Sequence, residues 1–314
     1  MANVPLVTDF LLVGLSDVWE FQIVHGVLFL VIYLVVLMSN FLIITLIILD
    51  FQLQTPVYFF LKNLSFMDVF LVSVSIPKFI INNFIHSSSI SILGCAFQLL
   101  LMTSFSASEI FILTAMSYDH YVAICCPLHY EVIMNGSTCT LMVGVSWAIG
   151  GLFGTVYTIG TFSLPFCGSN VIPQFFCDVS SLLRISCSET LTVIYTSIGI
   201  GGCLGVSCFI CIMVSYVYTF STVLKMPTTK GQSKAFSTCF PHLVVFTIFI
   251  ITAYFVYLKS PSSTPSAIDK AVSVIYTVIS PLLNPAIYSL KNKDMKQALM
   301  RLLQRRYGQE SYFI

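Results

Sequence analysis

An all-α bundle of seven membrane-spanning helices with a short amphipathic C-terminal helix is the fold class this sequence predicts, and three observations predict it. Of 314 residues, 57% are hydrophobic and 9% charged, and the mean hydropathy is +0.93. A soluble domain carries about 25% charged residues, so much of this surface must face lipid. The apolar residues fall in long continuous runs, near or above the roughly 20 residues that cross a bilayer at about 1.5 Å per residue. Closed barrels use alternating segments of about ten residues, which these runs are not. Lys and Arg, finally, segregate to alternate loops, as the orientation rule for membrane helices requires.

The runs cover about 22–48, 57–82, 93–125, 138–161, 192–224, 235–258 and 268–290. No repeat period marks an array, so residues 1–314 read as one helical-bundle domain. With the N-terminus outside, Lys62, Lys225, Lys230, Lys234, Lys291, Lys293, Lys296, Arg301, Arg305 and Arg306 lie inside. Only Lys78, Arg184, Lys259 and Lys270 lie at or beyond the outer side. The N-terminal segment carries Asp9, Asp17 and Glu20 and no Lys or Arg before Lys62. It lacks a basic n-region, so the first run is expected to act as an uncleaved targeting signal. A multi-pass plasma-membrane protein with a cytoplasmic C-terminus follows. After the last run, Met295, Leu299, Leu302 and Leu303 recur at helical spacing among Lys296, Arg301 and Arg305. That pattern predicts an amphipathic helix over about 292–304 on the inner leaflet. A net charge of +1 gives no nucleic-acid footprint.

The third run ends in Met116-Ser117-Tyr118-Asp119-His120-Tyr121, followed by Val122 to Pro127. An acid, a histidine and two tyrosines thus sit where a helix leaves the bilayer on the cytosolic side. Pro127 lacks an N–H and ends or bends the helix there. Asp68 and Glu109 lie well inside the second and third runs. A charge at the bilayer centre costs about 2.5–3.5 kcal/mol on insertion scales, so such residues face the bundle interior and mark function. Pro281 and Pro285 interrupt the seventh run around Asn284, a hinge or a static kink held by its neighbours. Gly150 and Gly154, and Gly201 and Gly205, have the small-residue spacing of close helix packing.

The cysteines split by compartment. Cys125, Cys126, Cys139, Cys203, Cys208, Cys211 and Cys239 lie in spans or on the inner side, where thiols stay reduced. Cys95, Cys167, Cys177 and Cys187 lie outside and allow three pairings. Tying the long loop of about 162–191 to Cys95 would fold it as a lid over the bundle, and spacing alone leaves open which loop cysteine does so.

Six stretches, in order along the chain, carry a resemblance. They are Pro56-Val57-Tyr58-Phe59-Phe60-Leu61 and Leu64-Ser65-Phe66-Met67-Asp68 in the second run, Met116 to Tyr130, and Ser215-Tyr216 in the fifth. Lys234 to Leu243 opens the sixth, and Pro281 to Leu290 ends the seventh. With these the chain resembles the odorant receptors of the rhodopsin-like G-protein-coupled class over nearly its whole length. The resemblance implies Cys95–Cys177 and Cys167–Cys187 disulfides, a small volatile odorant as ligand, and a stimulatory G protein that raises cyclic AMP. It implies a two-state switch of Asp119, His120, Tyr121, Tyr216, Lys234, His242, Asn284, Pro285 and Tyr288. It also suggests a sodium ion shared by Asp68 and Glu109, with Asn40 and Asn284 nearby; no other cofactor is expected.

Departures from the family pattern have physical content. His120 stands where the family usually has Arg, and His is shorter and mostly neutral at cytosolic pH. That weakens the expected coupling and opens a weakly coupling or non-signalling reading. Ser39-Asn40 replaces Gly-Asn, and Phe249-Ile250-Ile251 replaces Phe-Tyr-Gly. The N-terminal glycosylation sequon fails at Asn3-Val4-Pro5, while Asn63-Leu64-Ser65 and Asn135-Gly136-Ser137 face the cytosol. The pocket is expected in the outer half, under the lid, with Met102, Thr103 and Ser106 on the third span. Ile200, Gly201 and Leu204 would line the fifth, Tyr254 and Tyr257 the sixth, Val274 and Thr277 the seventh. Such a lining suits a small, largely apolar molecule held by area and one or two hydrogen bonds. Enzyme signatures are missing, and a transporter is disfavoured by the lack of an inverted repeat.

Overall fold

A computed structural model of the chain describes residues 9–16, 18–85, 87–166, 169–187, 192–226, 228–258, 267–290 and 293–310. Strand β1 (Asp9–Leu12) leads into α1 (Trp19–Leu49) and α2 (Pro56–Ile85). Strand β2 (Ser89–Ser91) precedes α3 (Ile92–Cys125), and the small α4 (Tyr130–Ile133) precedes α5 (Gly136–Phe162). Strand β3 (Val171–Ile172) and α6 (Val179–Ile185) belong to the long outer loop. Then come α7 (Thr192–Leu224), α8 (Thr229–Leu258), α9 (Ala267–Leu290) and α10 (Lys293–Glu310). The seven long helices α1, α2, α3, α5, α7, α8 and α9 match the seven predicted runs within about three residues at each end, except that α8 starts at Thr229 rather than near 235. Among the described residues, α1, α2, α3, α5 and α7 are long and apolar enough to cross a membrane by composition alone.

Local chemistry sets the helix ends. The Ser91 hydroxyl accepts from the Gly94 N–H at 3.1 Å and caps α3. Asn135 caps α5 by accepting from the Thr138 N–H at 2.9 Å. Such caps satisfy donors that the first helical turn leaves unpaired. α3 stops at Cys125, and Pro127 opens a 3-10 turn.

Small residues let α3 and α5 approach. A Cβ at Gly150 would lie 2.5 Å from the Ser104 carbonyl oxygen and 2.0 Å from the Ser108 hydroxyl; one at Gly154 would lie 2.6 Å from the Leu100 carbonyl oxygen. The predicted small-residue stripe is therefore a backbone-to-backbone contact. In α9, Pro285 has no N–H to give the carbonyl of Pro281 one turn earlier. The Asn40 amide of α1 supplies that hydrogen bond at 3.2 Å, and also bonds the Val36 carbonyl at 3.0 Å. The carbonyl freed by a proline within a helix is thus met by a buried side chain of another span, as lipid surroundings demand.

Two features were not predicted. β1 pairs antiparallel with β2 and parallel with β3, a small sheet over the outer end. α10 runs past the predicted end to Glu310. Met295 is buried in the bundle core, Leu299 and Leu302 pack against it, and Leu303 is exposed. Arg301 holds Asp50 at the end of α1 (2.6 Å), and the Tyr58 hydroxyl donates to Asp294 (3.2 Å). The amphipathic helix therefore packs much of its apolar stripe on the bundle.

Candidate functional site

Three layers of polar structure follow one another from the outer end to the inner end. The outermost is the lid. Cys95 and Cys177 are disulfide-bonded, with Cα atoms 5.5 Å apart. Gln98, one turn along α3, accepts from the Cys177 N–H at 2.9 Å and donates to the Val74 carbonyl of α2 at 3.0 Å. Gln174 donates to the buried Ser273 hydroxyl of α9 at 2.8 Å. Phe175 sits 5.0 Å from Phe79 and 6.2 Å from Phe29, ring centre to ring centre. Lys270 of α9 donates to the carbonyls of Gly14 and Leu15 at 3.2 and 3.1 Å. Lid and N-terminal segment thus fasten to α1, α2, α3 and α9. Burial pushes the Asp178 carboxyl of the lid up from its ordinary range. Cys187 is also disulfide-bonded, while Cys167 lies outside the described residues.

Beneath the lid, the expected pocket residues scatter. Met102 and Thr277 are buried, Thr277 bonding the Ser273 carbonyl at 2.8 Å; Thr103, Ser106 and Val274 are half-buried. The side chains of Tyr254 and Tyr257 lie outside the described residues. Ile200 needs correcting: it is 52% exposed on the outer surface of α7. The inward stripe of α7 runs through Ser197, Cys208, Ile212, Tyr216, Thr219 and Val223. At about 100° per residue these six residues span about 100° of the helix, and Ile200 falls roughly 110° from their middle. Gly201 faces α5, since a Cβ there would meet Phe153 at 3.0 Å and the Tyr157 hydroxyl at 3.1 Å. Leu204 shares with Gly201 a crevice of about 90 Å³ bounded by Ala107 and Phe111 of α3.

The middle layer gathers the intramembrane acids. Asn284 donates to Asp68 at 3.0 Å and to Glu109 at 3.4 Å, so one amide spans both carboxylates. Ser280 donates to Glu109. All four residues are buried. Asp68 Oδ1, Glu109 Oε2, Asn284 Oδ1, Asn40 Oδ1 and Ser65 Oγ have no hydrogen-bond partner among the described residues. Five buried oxygens without donors are costly unless something cationic or protic meets them. Hard oxygen donors, two of them carboxylate, suit a hard cation.

The innermost layer surrounds the end of α3. His120 Nδ1 lies 3.1 Å from the Tyr216 hydroxyl of α7. The His242 ring of α8 stands 5.7 Å from the His120 ring and 5.6 Å from that of Tyr216, and its Nε2 lies 2.9 Å from the Leu113 carbonyl oxygen. All three side chains are buried, so α3, α7 and α8 meet in one polar knot. Asp119 is engaged elsewhere: Tyr130 of α4 donates to its Oδ1 at 2.9 Å, while Oδ2 has no partner among the described residues. Burial and the Asp119 carboxylate push the Tyr130 phenol well up, which keeps its proton in place for this bond. Tyr121 points away from the knot, its ring 6.2 Å from those of Tyr118 and Tyr218. Pro285 is buried beside the middle layer, whereas the side chains of Lys234 and Tyr288 lie outside the described residues.

Sequence reasoning missed Tyr130, Gln98, Gln174 and Ser280. Tyr130 stood inside the quoted motif without a role, because its partner is reached only when the chain turns back after Pro127. The glutamines carried no periodic signal at all.

With the geometry in place, comparisons locate the chain among known proteins. A family model described as olfactory receptor matches residues 29–306. The chain is 76% identical over 314 residues to olfactory receptor 14A2 of Homo sapiens, covering 100% of both chains. It is 52% identical over 303 residues to olfactory receptor 14A16 of Homo sapiens, covering 96% of this chain and 98% of that one. Squid rhodopsin shares the fold at a TM-score of 0.70 and 18% identity, covering 91% of this chain and 86% of that chain.

Proposed function

We propose that this chain, which belongs to the olfactory receptor family, binds a small, mostly apolar volatile molecule in the outer half of its bundle and activates a stimulatory G protein that raises cyclic AMP. The family is one of receptors, not enzymes. The chain is read as one receptor domain in the plasma membrane, N-terminus outside and C-terminus inside. The observation that carries the reading is the polar knot of His120, Tyr216 and His242. It joins α3, α7 and α8 beside the Asp119-His120-Tyr121 end of α3. In this account the occupied cavity shifts the outer ends of the helices, the knot loosens, and α8 swings out to open a groove for the G protein. A switch needs two discrete arrangements that the ligand tells apart. A knot that is either closed or broken provides them. An odorant panel read by cyclic AMP tests the reading; no response from the intact receptor at the cell surface to any volatile would contradict it.

Sodium is proposed as the modulator of the middle layer. Asp68, Glu109, Asn40, Asn284 and Ser65 would hold it. The bound cation would screen the two carboxylates and favour the packing in which Asn284 reaches both. Sodium-dependent agonist potency that disappears in Glu109→Gln would support this; unchanged dependence would refute it.

A second reading, weak coupling, is favoured by one observation. His120 turns inward onto Tyr216 and is buried, so it offers the cytosol no cationic fork. His120→Arg separates the readings: a gain in evoked signal supports weak coupling in the native chain, and a loss supports a native histidine adapted to the knot.

A further inference from the structure

We propose that the cavity between the N-terminal segment, the outer ends of α1 and α2 and the lid is a second ligand site, for a small uncharged aromatic molecule that donates hydrogen bonds. Its volume is about 350 Å³, within the range of about 300–1,000 Å³ typical of small-molecule sites. It stands apart from the odorant cavity expected between α3, α7, α8 and α9. Among the described residues, none from those four helices lines it.

Three distant parts of the chain build the site. β1 and the residues after it form one side. The Leu12 N–H donates to the Ser88 carbonyl at 2.8 Å, and the Val13 N–H to the Ile172 carbonyl at 3.0 Å. The first turn of α1 supplies Gln22, and the last turn of α2 supplies Asn82 and Asn83. One turn along α1 from Gln22, the two helices touch: a Cβ at Gly26 would lie 3.2 Å from the Phe84 ring and 3.4 Å from the Asn83 Cβ. That contact helps to fix Gln22 and Asn82 relative to each other. Phe79 of α2 and Phe175 of the lid add an aromatic wall, their ring centres 5.0 Å apart.

The polar groups left over are acceptors. Gln22 donates its amide N–H to the Ser16 carbonyl at 3.0 Å, which turns its Oε1 the other way. Gln22 Oε1 and Asn82 Oδ1 are buried, and neither has a hydrogen-bond partner among the described residues. Neighbouring donors are engaged: the N–H groups of Leu11, Leu12 and Val13 bond backbone carbonyls, and the Asn83 amide bonds the Phe79 carbonyl at 2.8 Å. Buried acceptors without donors are costly, so the site favours a ligand that brings N–H or O–H groups.

Charge narrows the class further. Among the described residues, no Lys, Arg, Asp, Glu or His lines the cavity. Lys270, which approaches from α9, is turned onto the Gly14 and Leu15 carbonyls. An anion would meet carbonyl oxygens there. An ammonium would lose its water with no carboxylate to replace it. A neutral donor suffers neither penalty. The two phenyl rings favour a flat aromatic body through offset or edge contacts. Phenols and primary aromatic amides have that form.

The test uses the full chain in nanodiscs and a benzamide bearing a photoactivatable diazirine, with cross-linked peptides mapped by mass spectrometry. Binding is read directly, so the result does not depend on whether the receptor signals. Labelling should concentrate on residues 11–16 and 79–88, and excess benzamide should suppress it. N,N-dimethylbenzamide, which has no N–H, and benzoate, which is anionic, should compete about two- to tenfold less well. Asn82→Leu removes one of the unpaired acceptors and should weaken labelling by a similar factor. Val171→Trp, on the cavity's edge, should fill the space and abolish labelling. Thermal unfolding shows whether each variant is folded; if one is not, the other carries the comparison. Equal competition by the dimethylamide, or labelling that a folded variant leaves unchanged, would overturn the proposal. So would labelling confined to α3, α7, α8 and α9 or spread evenly around the bundle.

Discussion

The imidazole of His120 and the phenol of Tyr216, on different helices and 96 positions apart in the chain, share a buried hydrogen bond of 3.1 Å. A buried bond of this kind contributes about 0.5–1.5 kcal/mol net. If it belongs to the closed arrangement, Tyr216→Phe keeps the ring and removes the bond. Basal cyclic AMP should then rise, by roughly two- to tenfold on that energy. An assay without added odorant, normalised to surface receptor, measures it.

His120→Arg should raise odorant-evoked cyclic AMP. The longer side chain brings a fixed charge and a planar fork next to Asp119, whose Oδ2 lacks a partner among the described residues. The readout is the maximal response at equal surface expression.

The contact of α3 with α5 predicts a sharp contrast between adjacent glycines. Gly150→Ala places a methyl group 2.5 Å from the Ser104 carbonyl oxygen, whereas a Cβ at Gly151 meets nothing within 4 Å. Overpacking costs about 1–3 kcal/mol. Thermal unfolding of detergent-solubilised protein should show Gly150→Ala several degrees less stable and Gly151→Ala close to the parent.

Asn40→Leu should be destabilising out of proportion to its volume. It removes the donor to the Pro281 carbonyl that Pro285 leaves without a helix partner. An unsatisfied buried carbonyl costs about 1–3 kcal/mol. Asn40→Asp, which keeps the shape and loses the donor, should be destabilised as well; thermal unfolding of both variants checks this.

Much of the fold was legible because lipid leaves few solutions: nearly every backbone group must be paired within its own helix, so apolar run length nearly determines the span. Hence α1, α2, α3, α5, α7, α8 and α9 end close to the predicted limits. The β1–β2–β3 sheet was not legible, since it joins segments from three distant parts of the chain, each of two to four residues. The buried acids stood out by their cost. Their shared bonds to Asn284 did not, because they depend on how α2, α3 and α9 rotate against one another. Ile200 was misplaced for the same reason: helical spacing identifies a stripe, but a helix rich in apolar residues all round does not show which stripe faces inward.

The proposed function requires that an odorant bound in the outer half of the bundle is felt at the inner ends of α3 and α8. Spin labels on exposed inner positions of α5 and α8, in purified receptor with a stimulatory heterotrimer, measure it directly as a distance distribution with and without an activating odorant. A new, longer distance is expected when odorant and heterotrimer are both present, accompanied by faster nucleotide exchange. An odorant that binds saturably yet leaves both the distances and the exchange rate unchanged would contradict it.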